Sequence, residues 1–175
     1  MGAQFGQKAN LTTGQPFTLH WVKFRKVDVV EIEPTRILLV EDDPHDVELI
    51  QLAFDSYNFI NQMDVVEDGE QALHYLFGRD GQPSPYALPR VVLLDLKLPK
   101  VKGIKVLEAI RSHPRTHNLA VVIMTSSQED RDLNACYELG ANSYIVKPLD
   151  FAQFIDVSRQ VGLYWMLLNK PSLAS

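Results

Sequence analysis

Five short apolar runs recur along the chain at helix-length intervals: Ile37–Val40, Met63–Val66, Val91–Leu94, Ala120–Met124 and Ser143–Val146. Four of them are nearly continuous in apolar residues, the pattern of strands covered on both faces. The segments between them are amphipathic and carry helix punctuation. Pro44 stands where a first helical position tolerates it, with Asp46 and Glu48 at the positive end of the dipole and Leu49, Ile50, Leu52, Ala53 and Phe54 as the buried stripe. Asp68-Gly69-Glu70 opens a second helix whose apolar side is Ala72, Leu73, Leu76 and Phe77. A polar, proline-rich loop runs from Gly78 to Pro89. The third helix spans Gly103 to Arg111 and stops near Pro114; the fourth spans Glu129 to Leu139 and ends on Gly140. The last starts near Asp150 and reaches about Leu168, with Pro171 beyond it. Strands and helices in strict alternation predict an α/β fold, a doubly wound five-stranded parallel sheet in the order 2-1-3-4-5.

Residues 1–34 break this pattern. They begin rich in Gly, Gln, Asn and Thr, then mix basic, aromatic and β-branched residues, with Lys23-Phe24-Arg25-Lys26 at the centre. They read as a partly flexible N-terminal arm, followed by one domain over 35–170 with an extended last helix and a tail over 171–175. Composition narrows the class of protein. A net charge of −5 argues against a sequence-independent nucleic-acid binder. One cysteine, Cys136, excludes an internal disulfide and suits a reducing compartment. No apolar stretch approaches a membrane span, and the N-terminus lacks the core of a secretory signal. Cytoplasmic residence without membrane or nucleic-acid partners is the expectation.

The chemistry is concentrated where strands end. The first run ends in Glu41, Asp42 and Asp43, and the third ends in Asp95. Open α/β sheets bind ligands at the carboxyl ends of their strands, at the switch point between strands 1 and 3. Carboxylates converging there repel one another unless a cation joins them, and hard oxygen donors without nearby His or Cys suit Mg²⁺. Strand 4 delivers Thr125, Ser126 and Ser127 to the same edge, and strand 5 delivers Lys147-Pro148. A hydroxyl and an ammonium beside a carboxylate nucleophile can hold the oxygens of a phosphoryl group.

Taken together, Ile37-Leu38-Leu39-Val40-Glu41-Asp42, Leu93-Leu94-Asp95-Leu96-Lys97-Leu98-Pro99, Met124-Thr125-Ser126 and Tyr144-Ile145-Val146-Lys147-Pro148 resemble the receiver domain of two-component response regulators over residues 35–165. The resemblance implies a CheY-like fold and a single-domain phosphorelay protein, not an enzyme on outside substrates. It implies Asp95 as phospho-acceptor from a sensor histidine kinase, with slow self-dephosphorylation. It also implies Asp42 as direct Mg²⁺ ligand, Glu41 as a ligand through water, and Lys97 as donor of its backbone carbonyl to the metal. Thr125 and Tyr144 become the switch, and Lys147 the partner of the phosphoryl oxygens. The Tyr75-Leu76-Phe77-Gly78 to Pro89 loop, the Arg111-Ser112-His113-Pro114 turn and the terminal Tyr164-Trp165 are similar to small receivers paired with cyanobacterial phytochrome kinases. Lys102-Gly103 departs from the Asp-Gly frequent in the family, and the N-terminal arm has no counterpart in a bare receiver.

Other readings stand beside these. Asp95 could cap a turn, Asp43 could be an extra exposed acid, and Thr125 to Ser127 could cap the fourth helix. Lys147 precedes a proline and would be extended whatever its role. His113 and His117 have metal-like spacing, but Pro114 breaks a helix between them. His45 and His74 read as surface or packing residues, and Cys136 as a core thiol. A flavodoxin-like nucleotide binder would meet an anionic loop at Glu41-Asp42-Asp43; an aspartate-based phosphatase would want an acid where Lys97 stands. A pseudo-receiver that only binds partners is a third alternative. The last helix is apolar around much of its end, at Leu163, Tyr164, Trp165, Met166 and Leu167, and such a surface needs a cover. A homodimer through Tyr164 and Trp165 is expected, with packing against the arm as the alternative. The length leaves no room for an effector domain, so output is expected through protein contacts.

Overall fold

The computed structural model describes residues 35–55 and 61–169. The expected arm over 1–34, its basic cluster, Pro171 and the tail lie outside these residues. The sheet is parallel and five-stranded in the predicted order: β2 (Asn61–Val66), β1 (Thr35–Val40), β3 (Val91–Leu94), β4 (Ala120–Thr125) and β5 (Ser143–Val146). The helices are α1 (Pro44–Asp55), α2 (Gly69–Phe77), α3 (Gly103–Ser112), α4 (Asp130–Glu138) and α5 (Phe151–Leu163).

Alternation along the strands sorts the core into two layers. Leu38, Val40, Val92, Leu94, Val121 and Ile123 point to one face, where they bury Leu76, Leu107, Ile110 and Cys136. Ile37, Leu39, Leu93, Val122 and Met124 point to the other, against Ile50, Phe54, Phe154 and Val161. Successive strand residues face opposite ways, so a continuous apolar run feeds both layers at once. The expectation of full burial holds for Ile37–Val40 of β1, for β3 and for most of β4, but the outer strands depart from it. Gln62 in β2 and Val146 in β5 are exposed, because an edge strand has a neighbour on one side only.

Helix ends follow local chemistry. The Asp68 carboxylate accepts the Gln71 N–H at 2.8 Å and Asp150 accepts that of Gln153 at 2.9 Å, each satisfying a donor left free at a helix start. Gly140 follows α4 with φ of +86°, the left-handed conformation that ends the helix. The last helix reaches Leu168 as expected, but its final residues, Tyr164–Leu168, form a π-helical turn. There Trp165 and Met166 are buried in the layer containing Phe54 and Val161. The expectation that Trp165 presents a dimer surface is therefore corrected: Trp165 continues the Phe154, Ser158 and Val161 stripe of the helix and so faces the core. Tyr164, Leu167 and Leu168 stay exposed.

The Arg111 turn has a structural reason. The Arg111 guanidinium donates to the carbonyls of Leu119 (2.8 Å) and Gly140 (2.8 and 3.0 Å) and to Asn142 Oδ1 (3.0 Å), clamping the end of α3 to the entries of β4 and β5. Arg111→Ala is expected to lower unfolding stability by about 2 kcal/mol in urea denaturation, because charge-assisted bonds are lost and water replaces only part of them. Arg111→Lys should recover little, since one ammonium cannot span three acceptors. In the same region the His113 and His117 rings bond locally: His113 Nδ1 accepts the Arg115 N–H at 3.1 Å, and His117 Nδ1 lies 2.7 Å from the Pro114 carbonyl.

Candidate functional site

The hydrogen-bonding of the sheet continues one residue past three strand ends. Glu41 N–H donates to the Val66 carbonyl (3.0 Å), Asp95 N–H to Val40 (3.0 Å) and Lys147 N–H to Thr125 (2.8 Å). The side chains of Glu41, Asp95 and Lys147 are thus aimed by backbone bonds of the sheet itself, a rigid support for a site. All three are nearly buried, and Thr125 at the end of β4 is fully buried. Asp42 is exposed.

Lys147 is the hub. Its Nζ lies 2.5 Å from Glu41 Oε2, 2.8 Å from Asp95 Oδ2 and 2.8 Å from Asp46 Oδ2. Burial disfavours the ammonium, yet Asp95, Glu41 and Asp46 outweigh it and raise the Lys147 pKa above the usual lysine range. For Asp95, burial pushes the carboxyl up, but Lys147, the Lys97 N–H and the Thr125 hydroxyl together hold it below its ordinary value. The Lys97 amide donates to Asp95 Oδ1 at 3.0 Å. Glu41 goes the other way: burial dominates over Lys147 and pushes its carboxyl up to about 7. The cluster holds more carboxylates than its one ammonium can balance. Burial thus draws a proton toward Glu41 as pH falls through that range, and a bound cation would compete with it.

The residues fit such a cation. Glu41, Asp42 and Asp95 each offer a carboxylate oxygen, all within 4.8 Å of one another. An all-oxygen set with few protein ligands suits a small hard divalent ion that keeps waters or shares itself with a phosphate.

Around this centre, the structure sorts the expected residues. Asp43 proves to be more than an extra acid: its Oδ1 accepts the His45 N–H at 2.9 Å at the start of α1, while its own N–H donates to Glu41 Oε1 at 3.2 Å. Thr125 Oγ1 accepts the Ser127 N–H at 3.3 Å; the Ser127 hydroxyl donates to Asp132 Oδ2 at 2.7 Å. The β4–α4 loop is thereby tied to the first turn of α4. The half-buried Tyr144 donates its hydroxyl to the Ser127 carbonyl at 3.1 Å. The Lys97 side chain is exposed, and its backbone N–H meets Asp95. The sequence marks Asp46 as a dipole-compensating acid, and its contact with Lys147 does not follow from that pattern.

Comparison with known proteins gives the family and the fold. The family model of the response regulator receiver domain matches residues 37–159. The chain is 40% identical over 144 residues to the probable methanogenesis regulatory protein FilR2 of Methanothrix harundinacea, covering 82% of this chain and 92% of that protein. It is 31% identical over 133 residues to the response regulator Rcp1 of Synechocystis, covering 76% of this chain and 90% of Rcp1; the Mn²⁺-bound form of Rcp1 superimposes with a TM-score of 0.75, over 80% of this chain and 100% of that one. The phosphorylated cyanobacterial phytochrome response regulator RcpA, 30% identical, also gives a TM-score of 0.75, over 80% of this chain and 99% of its own. With a family match over most of the described residues, a 2-1-3-4-5 parallel sheet and an acidic cluster facing a lysine at its carboxyl edge, this chain belongs to the response-regulator receiver family.

Proposed function

We propose that this chain is a single-domain response regulator that takes a phosphoryl group onto Asp95 from the phosphohistidine of a sensor kinase. Receiver domains interact with histidine kinases and are in general not enzymes. The observation that carries the reading is the setting of Asp95, an ionised carboxylate between the Lys147 ammonium, the Lys97 N–H and the oxygens of Glu41 and Asp42. Its low pKa keeps the nucleophile deprotonated at working pH. An Asp95 oxygen forms the new bond to phosphorus while the phosphorus–nitrogen bond of the donor breaks and its electron pair returns to the imidazole. Asp42, Asp95, the Lys97 carbonyl and, through water, Glu41 would hold Mg²⁺, which would supply positive charge for the phosphoryl oxygens. Lys147, already 2.8 Å from Asp95, supplies the second positive charge. The Thr125 hydroxyl and Tyr144 form the switch, biasing the face of α4, β5 and α5, where Tyr137, Val146, Leu149 and Phe151 are exposed. Slow self-dephosphorylation resets it.

The kinase partner is of phytochrome type, a reading supported by the likeness to RcpA. Residence is cytoplasmic, without nucleic-acid or membrane partners; no described helix is long and apolar enough to cross a membrane. A homodimer forms through the end of the last helix, where Tyr164, Leu167 and Leu168 leave an exposed apolar strip. Sedimentation equilibrium is expected to show the dimer, and Leu167→Glu with Leu168→Glu to return the monomer; a wild type that stays monomeric at high micromolar concentration removes the dimer from the proposal. For the central reading the test is incubation with acetyl phosphate and Mg²⁺ followed by intact mass. Gain of one phosphoryl group supports it, and a folded protein that gains none overturns it.

A further inference from the structure

The loop between β3 and α3 carries Lys97, and it is held from both sides. Leu96 and Leu98, flanking Lys97, are buried in the core. At the far end Gly103 packs so closely on the turn that a Cβ there would lie 2.0 Å from the Asp95 carbonyl, and its N–H donates to the Leu96 carbonyl at 3.1 Å. In the middle, Gly69 at the start of α2 approaches Val101 so tightly that a Cβ would meet its carbonyl oxygen at 2.0 Å. Between these contacts stands Lys100, with φ of +57°, a left-handed conformation that a lysine adopts only at a cost glycine would avoid. Its Nζ reaches Asp68 Oδ2 at 2.6 Å and Glu70 Oε2 at 3.5 Å. Asp68 is 3% exposed, and its oxygens also cap α2 through Gln71 N–H and Nε2. The ammonium ends on a nearly buried carboxylate that is itself locked to a helix start. The Lys100 side chain itself is exposed, so the hold comes from the fixed Asp68 carboxylate at its end and not from burial of the pair.

We infer that Lys100 is a positioning residue: through its ion pair with Asp68 it fixes the β3–α3 loop so that the Lys97 backbone serves both Asp95 and the cation. The cation half of this inference rests on the proposed function; the loop half does not. If Lys100 acted only through its field, removing its positive charge would tighten cation binding at the neighbouring acids. Positioning predicts the opposite sign.

The experiment compares wild type, Lys100→Met and Lys100→Arg in the full chain by two readouts. One is hydrogen exchange of the Lys97 amide in metal-free protein, and the other is the Mn²⁺ dissociation constant by calorimetry. In Lys100→Met the Lys97 amide is expected to exchange about tenfold faster. Mn²⁺ should bind about tenfold more weakly, the low end of what second-layer partners of a metal cost when removed. Thermal unfolding checks that the variant is folded, and Lys100→Arg should return both readouts close to wild type because it keeps the pair with Asp68. Unchanged exchange at Lys97, or unchanged or tighter Mn²⁺ binding, overturns the inference. If wild type itself binds no Mn²⁺, the proposed function and the cation half fall together, and the exchange rate alone decides whether Lys100 sets the loop.

Discussion

Asp95→Asn is expected to abolish phosphoryl uptake completely, with wild type gaining one phosphoryl mass from acetyl phosphate and Mg²⁺ and the variant gaining none. The substitution conserves shape, and the amide oxygen can still accept the Lys97 N–H that Asp95 Oδ1 accepts at 3.0 Å. What disappears is the charge. An amide has no ionised oxygen to attack phosphorus, and one carboxylate is withdrawn from the set that gathers the cation. A second readout separates chemistry from folding. A ligand present at a hundred times its dissociation constant stabilises the folded state by about 2.7 kcal/mol. Wild type should therefore melt higher in excess Mg²⁺, and Asp95→Asn should lose most of that gain while remaining folded without metal. Phosphoryl uptake persisting in Asp95→Asn would move the acceptor to another residue, Asp42 being the nearest exposed carboxylate of the cluster, and would sink the assignment.

The second large effect is on stability. Lys147→Met removes the ammonium that faces Glu41, Asp46 and Asp95 and leaves two nearly buried carboxylates with backbone donors but no cationic partner. Breaking a buried pair from one side costs about 3–5 kcal/mol, and urea unfolding of the metal-free variant at pH 8 should show a loss of that size. The pH dependence carries a sign that can be checked. Glu41 has its folded pKa raised from 4.5 to about 7, so its contribution is fully present below pH 4.5 and is lost as pH rises through 7. Asp95 has a lowered folded pKa, so its contribution is present above the ordinary carboxylate range and is lost as pH falls through the folded value. Metal-free wild type should accordingly lose stability between pH 5 and 8 through Glu41, and saturating Mg²⁺ should flatten that slope by replacing the proton. In Lys147→Met the deficit relative to wild type should shrink toward pH 5, where the orphaned carboxyls protonate. A deficit that instead grows on acidification would show that Lys147 does not neutralise this cluster.

The order and type of the elements were legible in the chain because parallel strands covered on two faces must be apolar throughout, and helices must cap their first donors. Ile37–Val40 and Val91–Leu94 carry that requirement without ambiguity, and so do Asp68 and Asp150 at helix starts. Glu41, Asp95, Thr125 and Lys147 could be gathered into one site because each directly follows or ends an apolar run, and a parallel sheet places all such ends on one edge. That inference needs only topology. Side-chain partners chosen among several reachable groups need coordinates. Asp46 reaches Lys147 because α1 starts close over the edge of β1, an angle that periodicity does not encode. Trp165 turns inward because it continues the Phe154, Ser158 and Val161 stripe, which packs in one layer with Phe54 of α1, a contact between segments that the helix pattern does not specify. Lys100 finds Asp68 across 32 positions because Gly69 lets α2 and the β3–α3 loop approach to backbone contact. The sequence by itself determined which residues stand at the chemical edge, since strand polarity and alternation are local and repetitive. The tertiary structure alone decided which charges pair, which aromatic is buried and which loop is held, since those depend on distances between segments that no local pattern specifies.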